Sequence, residues 1–177
     1  MLNKSSPNIS LIGFPTSGKT ILGGRLAQHL NKRFIDVDAL IQSYHASLSC
    51  REIFQVFGEA YFRYLESKAI QSLEAHPEPV IIATGGGSLI QEKNCLSLKK
   101  HSRFIYLKVP SVVLKERLLC QSALPAFLQT EDPEHAFNRL YGERSVLYEK
   151  WADHIIDLHS FSVEQCLQEL NRLLLEV

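Results

Sequence analysis

The sequence carries no excess of charge of either sign. Its 177 residues include 19 basic and 19 acidic side chains, which leaves a formal net charge of zero. We therefore expect no surface field that attracts nucleic acid or an anionic membrane, and any charged ligand must be bound by local groups. The sequence also lacks an apolar run near the ~20 residues that span a bilayer. These absences favour a soluble, cytoplasmic protein with neither nucleic acid nor a membrane as partner.

Patterns of metal sites and disulfide frameworks are missing as well. The 7 histidines form no H-E-x-x-H motif, and no two of the 4 cysteines form a C-x-x-C pair. Widely spaced thiols are typical of a reducing compartment. With 45% hydrophobic residues and no internal repeat, the chain is long enough for one domain with a sizeable core, over residues 1–177.

The most informative motif lies near the start of the chain. Residues 13–20, here called the phosphate loop, read GFPTSGKT and fit the pattern G-x-x-x-x-G-K-[ST]. The two glycines let backbone N–H groups turn inward, so that they form an anion-binding concavity with the following helix N-terminus. Lys19 is expected to reach the β- and γ-phosphates, and the Thr20 hydroxyl to bind Mg²⁺. The predicted nucleotide-binding residues are Gly13, Phe14, Pro15, Thr16, Ser17, Gly18, Lys19, Thr20 and Ile21.

Strands and helices alternate along the chain. Apolar and β-branched runs, separated by helical patterns, predict strands at 8–12, 33–38, 80–83, 103–107 and 154–157. This order favours a five-stranded parallel sheet between two layers of helices, an α/β/α sandwich. Capping-box spacing at Ser49 and Glu52 predicts a helix start, and Gly58 is expected to interrupt that helix. The strand before the phosphate loop and the helix over 19–30 argue against the alternative, an ordinary turn that matches by chance.

Three polar features each follow a predicted strand. The phosphate loop follows the first, Asp36 and Asp38 end the second, and the triple glycine Gly85–Gly87 follows the third. Because ligands bind beyond the carboxyl ends of parallel strands, we expect these features to converge on one rim. Asp36 and Asp38 are two residues apart, so we expect them on one face of the strand. A solvated acid at a strand end is the alternative for Asp36.

These motifs, in this order, resemble those of the shikimate kinase family of small P-loop kinases. The resemblance covers most of the chain and includes the phosphate loop, FIDVD at 34–38, GEAYFRYLE at 58–66, the triple glycine, and ERSVLY at 143–148 with Ala152 and Asp153 behind it. It implies a P-loop kinase fold, with a shikimate-binding helical segment over residues 38–66 and a lid over residues 119–131.

The resemblance implies transfer of the ATP γ-phosphate to the 3-hydroxyl of shikimate, for aromatic amino acid biosynthesis, by a monomer that uses Mg²⁺. Shikimate bears a carboxylate and ring hydroxyls, so Arg63 and Arg144 would bind the carboxylate by charge-assisted hydrogen bonds. The main role of Asp38 would be to orient the attacking hydroxyl, and its secondary role would be to accept the proton of that hydroxyl. The other implied roles are catalysis for Lys19, metal binding for Thr20 and Asp36, adenine contact for Arg117, and shikimate contact for Gly85, Gly86 and Gly87.

The lid departs from the family pattern. Where shikimate kinases usually carry an arginine before a proline, this chain has Leu124 before Pro125, and no Lys or Arg occurs between 118 and 138. An arginine that stabilises a transferring phosphoryl group can be worth about 10³–10⁵ in rate. Two alternatives stay open: another small-molecule kinase, such as a gluconate kinase, and a nucleotide- or shikimate-binding regulator without turnover. Arg63, Arg144 and the triple glycine argue against the first, and Leu124 sustains the second.

Overall fold

The computed structural model describes residues 7–45, 48–74, 76, 78–120, 125, 128–159 and 162–175. The strands of this part are β1 (Asn8–Ile12), β2 (Arg33–Asp36), β3 (Val80–Ala83), β4 (Ser102–Lys108) and β5 (His154–Asp157). Its helices are α1 (Lys19–His29), α2 (Val37–Ser43), α3 (Cys50–Ser72), α4 (Glu92–Lys99), α5 (Ser111–Leu119), α6 (Pro133–Trp151) and α7 (Val163–Leu175). No helix of these residues is both long and apolar enough to cross a membrane.

The strands form one parallel sheet in the order β2-β3-β1-β4-β5. This arrangement confirms the predicted five-stranded parallel sheet with its helices. Because β1 lies at the centre, the loops that follow β1, β2 and β3 leave the sheet at neighbouring positions on its carboxyl edge. The register brings the end of β2 beside the end of β3, with Asp36 opposite Ala83.

The central strands of the sheet are buried on both faces, and their successive residues belong to different cores. Ile12 of β1 and Phe104 of β4 pack with α2 to α6, whereas Leu11 and Ile105 pack with α1 and α7. This alternation follows from the two-residue period of a strand, and it explains why the strands read as continuous apolar runs. The result is the predicted arrangement of three layers.

The predicted second strand is wrong at its carboxyl end. It stops at Asp36, whose Oδ1 accepts hydrogen bonds from the backbone N–H groups of Asp38 (2.9 Å) and Ala39 (3.3 Å) and so caps α2. Aspartate is among the preferred N-cap residues because its side chain satisfies the unpaired N–H groups of the first helical turn. Asp38 therefore lies in the first turn of a helix and does not share a strand face with Asp36.

Helix α3 begins and bends where the sequence predicts. The Ser49 backbone N–H donates to Glu52 Oε2 (2.7 Å) and the Ser49 hydroxyl accepts from the Glu52 N–H (3.2 Å), which completes a capping box. Gly58 interrupts the helix with φ 82° and ψ 170°, a conformation that favours glycine. The kink lies between the capped start of α3 and its buried second half, which carries Arg63.

Two adjacent glycines of α1 should respond oppositely to alanine. A Cβ atom at Gly23 would lie 2.5 Å from Cε2 of Phe34, whereas one at Gly24 would have its nearest neighbour at 4.0 Å. We expect Gly23→Ala to lower the free energy of unfolding by about 1–3 kcal/mol through overpacking. Gly24→Ala should raise it by up to about 1 kcal/mol, because alanine favours the helix. Urea denaturation of both variants measures the difference, and equal shifts would contradict this packing.

Candidate active site

The phosphate loop connects β1 to α1 through two glycines with positive φ. Gly13 has φ 148° and Gly18, which caps α1, has φ 93°. A Cβ atom at Gly13 would also lie 2.9 Å from the carbonyl oxygen of Leu107, so this position has no room for a side chain. The loop thus has the backbone that the motif predicts, with the N-terminus of α1 behind it, where anions bind favourably.

Thr16 stands in the middle of this loop with φ 64°, a left-handed conformation that is uncommon for a β-branched residue. Two hydrogen bonds hold it. The Thr16 hydroxyl donates to the carbonyl oxygen of Pro15 (2.6 Å), and Arg117 Nη1 of α5 donates to the carbonyl oxygen of Thr16 (3.0 Å). The structure therefore places Arg117 against the phosphate loop, and its predicted contact with adenine stays a prediction. Ile21 lies exposed in the first turn of α1.

The Lys19 amine is buried inside the phosphate loop. Its Nζ donates to the carbonyl oxygens of Gly13 (2.8 Å) and Phe14 (2.7 Å) and to Ser17 Oγ (3.3 Å). Burial lowers the pKa of Lys19 to about 8, although the charge of Asp38 acts in the opposite direction. Phosphate oxygens at this place would favour the charged amine, because an adjacent anion stabilises a cation that burial penalises.

Thr20 and Asp36, the predicted metal ligands, lie together. The Thr20 hydroxyl donates to Asp36 Oδ2 (2.6 Å), while the other carboxylate oxygen caps α2. Among the described residues no group of three or more His, Cys, Asp or Glu side chains gathers as a metal cage. A hydroxyl and one carboxylate fit Mg²⁺, which is usually bound through one or two protein oxygens, substrate phosphates and water.

Asp38 lies beside the triple-glycine turn. A Cβ atom at Gly85 would be 2.7 Å from Asp38 Oδ1, which shows how closely the carboxylate approaches this backbone. Burial raises the pKa of Asp38 to about 6, and the charge of Asp36 acts in the same direction while that of Lys19 opposes it. This half-buried carboxylate can accept a hydrogen bond from a hydroxyl group, and its raised pKa suits proton transfer near neutral pH.

Arg63 faces the other end of the same turn. A Cβ atom at Gly87 would lie 2.6 Å from Arg63 Nη1. The same Nη1 donates to Glu66 Oε2 (2.8 Å), and the second oxygen of Glu66 accepts from the Ser88 hydroxyl (2.8 Å). Glu66 is 1% exposed, so a buried carboxylate fixes both the guanidinium and the residue that follows the glycines.

Arg144 approaches the turn from α6. Its Nη1 donates to the carbonyl oxygen of Gly86 (3.3 Å), and its guanidinium lies over the Phe14 ring, 5.6 Å from the ring centre. Burial lowers the pKa of Arg144, and the positive charge of Arg63 acts in the same direction. Two guanidinium groups thus lie near one another beside the glycines, an arrangement that favours an anionic ligand between them.

The structure brings the phosphate loop, Asp36, Asp38 and the triple glycine together at one rim, as the parallel order of the strands predicts. The binding and catalytic roles of the individual residues stay predictions. Sequence reasoning does not single out Ser88 and Tyr148, although both contact the site. Tyr148 lies four residues after Arg144 on the same face of α6, a spacing that could have identified it. Leu124, predicted to occupy the place of the lid arginine, lies outside the described residues, as does most of 121–127.

Comparisons with known proteins agree on one family. A family model described as shikimate kinase matches residues 15–174. A shikimate kinase of Caldanaerobacter subterraneus subsp. tengcongensis is 37% identical over 169 residues, 93% of this chain and 94% of the relative. A structure of shikimate kinase from Acinetobacter baumannii in complex with shikimate has a TM-score of 0.88 at 30% identity, covering 96% of this chain and 93% of that chain. A gluconokinase of Sinorhizobium meliloti, 18% identical with a TM-score of 0.57, shares the fold alone.

Asp38→Asn should stabilise the folded protein at neutral pH. With its pKa raised from 3.8 to about 6, the folded state binds this proton more tightly than the unfolded chain, so wild-type stability falls as pH rises through that window. Asparagine cannot ionise. The variant's advantage in the free energy of unfolding should therefore grow by about 3 kcal/mol across the window and then stay constant. Urea titrations on both sides of the window test this, and a difference independent of pH would contradict it.

Proposed function

The chain belongs to the shikimate kinase family and is an ATP-dependent kinase, and we propose that the site described above transfers the γ-phosphate of ATP to the 3-hydroxyl of shikimate, giving shikimate 3-phosphate and ADP. One observation carries the proposal. Arg63 and Arg144 lie beside the triple-glycine turn, and that turn also contacts the phosphate loop and Asp38. A small hydroxylated carboxylate bound there lies next to the phosphate cradle.

The acceptor carboxylate binds between the two guanidinium groups. Each guanidinium presents several N–H donors in a plane, which suits bidentate binding of a carboxylate. Glu66 keeps Arg63 in place, and the carbonyl oxygen of Gly86 does the same for Arg144. The absence of side chains at Gly85–Gly87 lets Asp38 and Arg63 pack directly against this backbone, which keeps the carboxylate and the guanidinium close to the bound acceptor.

Asp38 then accepts a hydrogen bond from the attacking hydroxyl and orients it toward the phosphate loop. Phosphoryl transfer depends mainly on positioning and on stabilisation of charge, so orientation is the first role of this carboxylate. Acceptance of the hydroxyl proton is its second role, and the raised pKa supports it, because a stronger base accepts a proton more readily.

The phosphate end of the site binds ATP through the loop backbone, Lys19 and Thr20. Thr20 and Asp36 would supply oxygen ligands for Mg²⁺, which would neutralise part of the charge on the phosphates. Lys19 places an amine among the loop carbonyls, where the β- and γ-phosphates approach. Arg117, which contacts the loop at Thr16, is the proposed adenine contact.

The same proposal includes the organisation of the chain. Residues 1–177 act as one domain and one monomer, with the segment 38–66 binding shikimate and a lid over 119–131, of which 121–124, 126 and 127 lie outside the described residues. The four cysteines, Cys50, Cys95, Cys120 and Cys166, are free thiols, which supports a reducing compartment such as the cytoplasm.

The reaction itself provides the first test. We expect the purified protein with ATP and Mg²⁺ to release ADP only when shikimate is added, because the acceptor completes the site. A coupled ADP assay with shikimate, with gluconate and with no acceptor measures this. Release with gluconate alone would identify the other kind of kinase, and release indifferent to any acceptor would overturn the assignment. Shikimate binding without ADP release would identify a regulator.

Arg63→Lys should raise the KM for shikimate about tenfold to a hundredfold, since an amine cannot replace a bidentate guanidinium and hydrogen bonds to charged groups are worth about 1.5–3 kcal/mol. The KM for ATP should change little, because Arg63 does not contact the phosphate loop. Arg139→Lys is the matched control, because Arg139 lies exposed on α6 and pairs only locally with Glu143 in the described structure. Equal effects of the two substitutions on the shikimate KM would contradict the acceptor site.

A further inference from the structure

The hydroxyl group of Tyr148 contacts the centre of the triple-glycine turn. Tyr148 is 2% exposed, and its ring packs 5.1 Å from the ring of Tyr106, measured between centres. The hydroxyl donates a hydrogen bond to the carbonyl oxygen of Gly86 (2.5 Å). A buried tyrosine usually directs its hydroxyl to a partner, and here that partner is the backbone of the acceptor site.

Gly86 accepts two hydrogen bonds from the same face of α6. Arg144 Nη1 donates to its carbonyl oxygen at 3.3 Å, longer than the bond from Tyr148. A carbonyl oxygen has two lone pairs, so both donors can be accommodated at once. Because the peptide unit is planar and trans, a carbonyl held on one side also fixes the direction of the Gly87 N–H on the other.

The peptide between Gly86 and Gly87 occupies a narrow space. A Cβ atom at Gly86 would lie 2.5 Å from Cδ of Pro15, and one at Gly87 would lie 2.6 Å from Arg63 Nη1. The unit therefore lies between the phosphate loop and a guanidinium group. Glycine has more backbone freedom than any other residue, so this unit depends on external contacts for its orientation.

We propose that Tyr148 is a positioning residue whose hydroxyl fixes the Gly86–Gly87 peptide and thereby the surface that Arg63 and Arg144 present to the acceptor. The part concerning the acceptor rests on the proposed function. Burial raises the pKa of Tyr148, so the hydroxyl keeps its proton and remains a donor. Without this bond, the Gly86 carbonyl oxygen keeps the longer hydrogen bond from Arg144. That bond cannot fix the carbonyl independently, because the position of Arg144 itself depends on it.

Tyr148→Phe tests the proposal, with Tyr106→Phe as its matched control. Each variant removes one hydroxyl from the same buried pair of rings, but only Tyr148 contacts Gly86. We expect Tyr148→Phe to raise the KM for shikimate roughly three- to tenfold, the usual worth of one net hydrogen bond. Hydrogen–deuterium exchange of residues 84–90 should become faster in the same variant. Tyr106→Phe should leave both quantities near wild type.

A purely structural role for Tyr148 would lower the thermal midpoint of Tyr148→Phe, but it would neither speed exchange specifically at residues 84–90 nor change the KM for shikimate. If Tyr148→Phe matches Tyr106→Phe in either readout, the proposal is wrong. If the wild-type protein does not phosphorylate shikimate, the proposed function fails, and the exchange comparison alone then decides whether Tyr148 holds the turn.

A measurement on the wild type covers the case in which Tyr148→Phe does not fold. A buried, hydrogen-bonded tyrosine hydroxyl exchanges slowly with water, so selectively labelled protein should show a protected Tyr148 hydroxyl proton by NMR. A rapidly exchanging hydroxyl in the folded protein would overturn the proposal.

Discussion

The site depends on close packing against three consecutive residues that have no side chain. Gly85 lies against Asp38, Gly86 against Pro15 and Gly87 against Arg63, each so closely that a Cβ atom would fall within 2.7 Å of its neighbour. One short backbone segment therefore sets the spacing between the carboxylate, the phosphate loop and a guanidinium group. Because protein interiors are densely packed, a small shift of this segment must move all of these groups together.

Burial destabilises the ionised forms of the charged groups in the site. It raises the pKa of Asp38, lowers that of Lys19 and lowers that of Arg144, so each ionised form is disfavoured in the free protein. Proximity adds repulsion between like charges, as between Arg63 and Arg144. Phosphates and a carboxylate would supply the missing countercharges. A site of this kind gives up stability in the free state in return for stronger interactions with its ligands.

The sequence predicts the central strands well because they are apolar runs buried on both faces, as in Val80–Ala83. It also predicts the convergence of the site, which follows from the parallel order of the strands. The geometry of the side chains is harder to predict, because it depends on which backbone groups each side chain satisfies and on contacts between residues far apart in the sequence. Asp36 is both the last residue of β2 and the N-cap of α2, and its carboxylate ends the strand there because it satisfies the N–H groups of the first helical turn. The spacing from Arg144 places Tyr148 on the face of α6 that meets the site, but its hydrogen bond to Gly86, 62 residues away, is a tertiary contact that only the folded structure shows.

The hydrogen bond between Arg117 and the Thr16 carbonyl oxygen limits when the phosphate loop can reach its final conformation during translation. The two residues are 101 positions apart, so the hydrogen bond cannot form until α5 has left the ribosome. The strand before the loop also depends on later parts of the chain, because β1 pairs with β3 and β4. The nucleotide-binding motif is thus translated early and completed late, and a nascent chain that ends before α5 carries the motif without its tethered conformation.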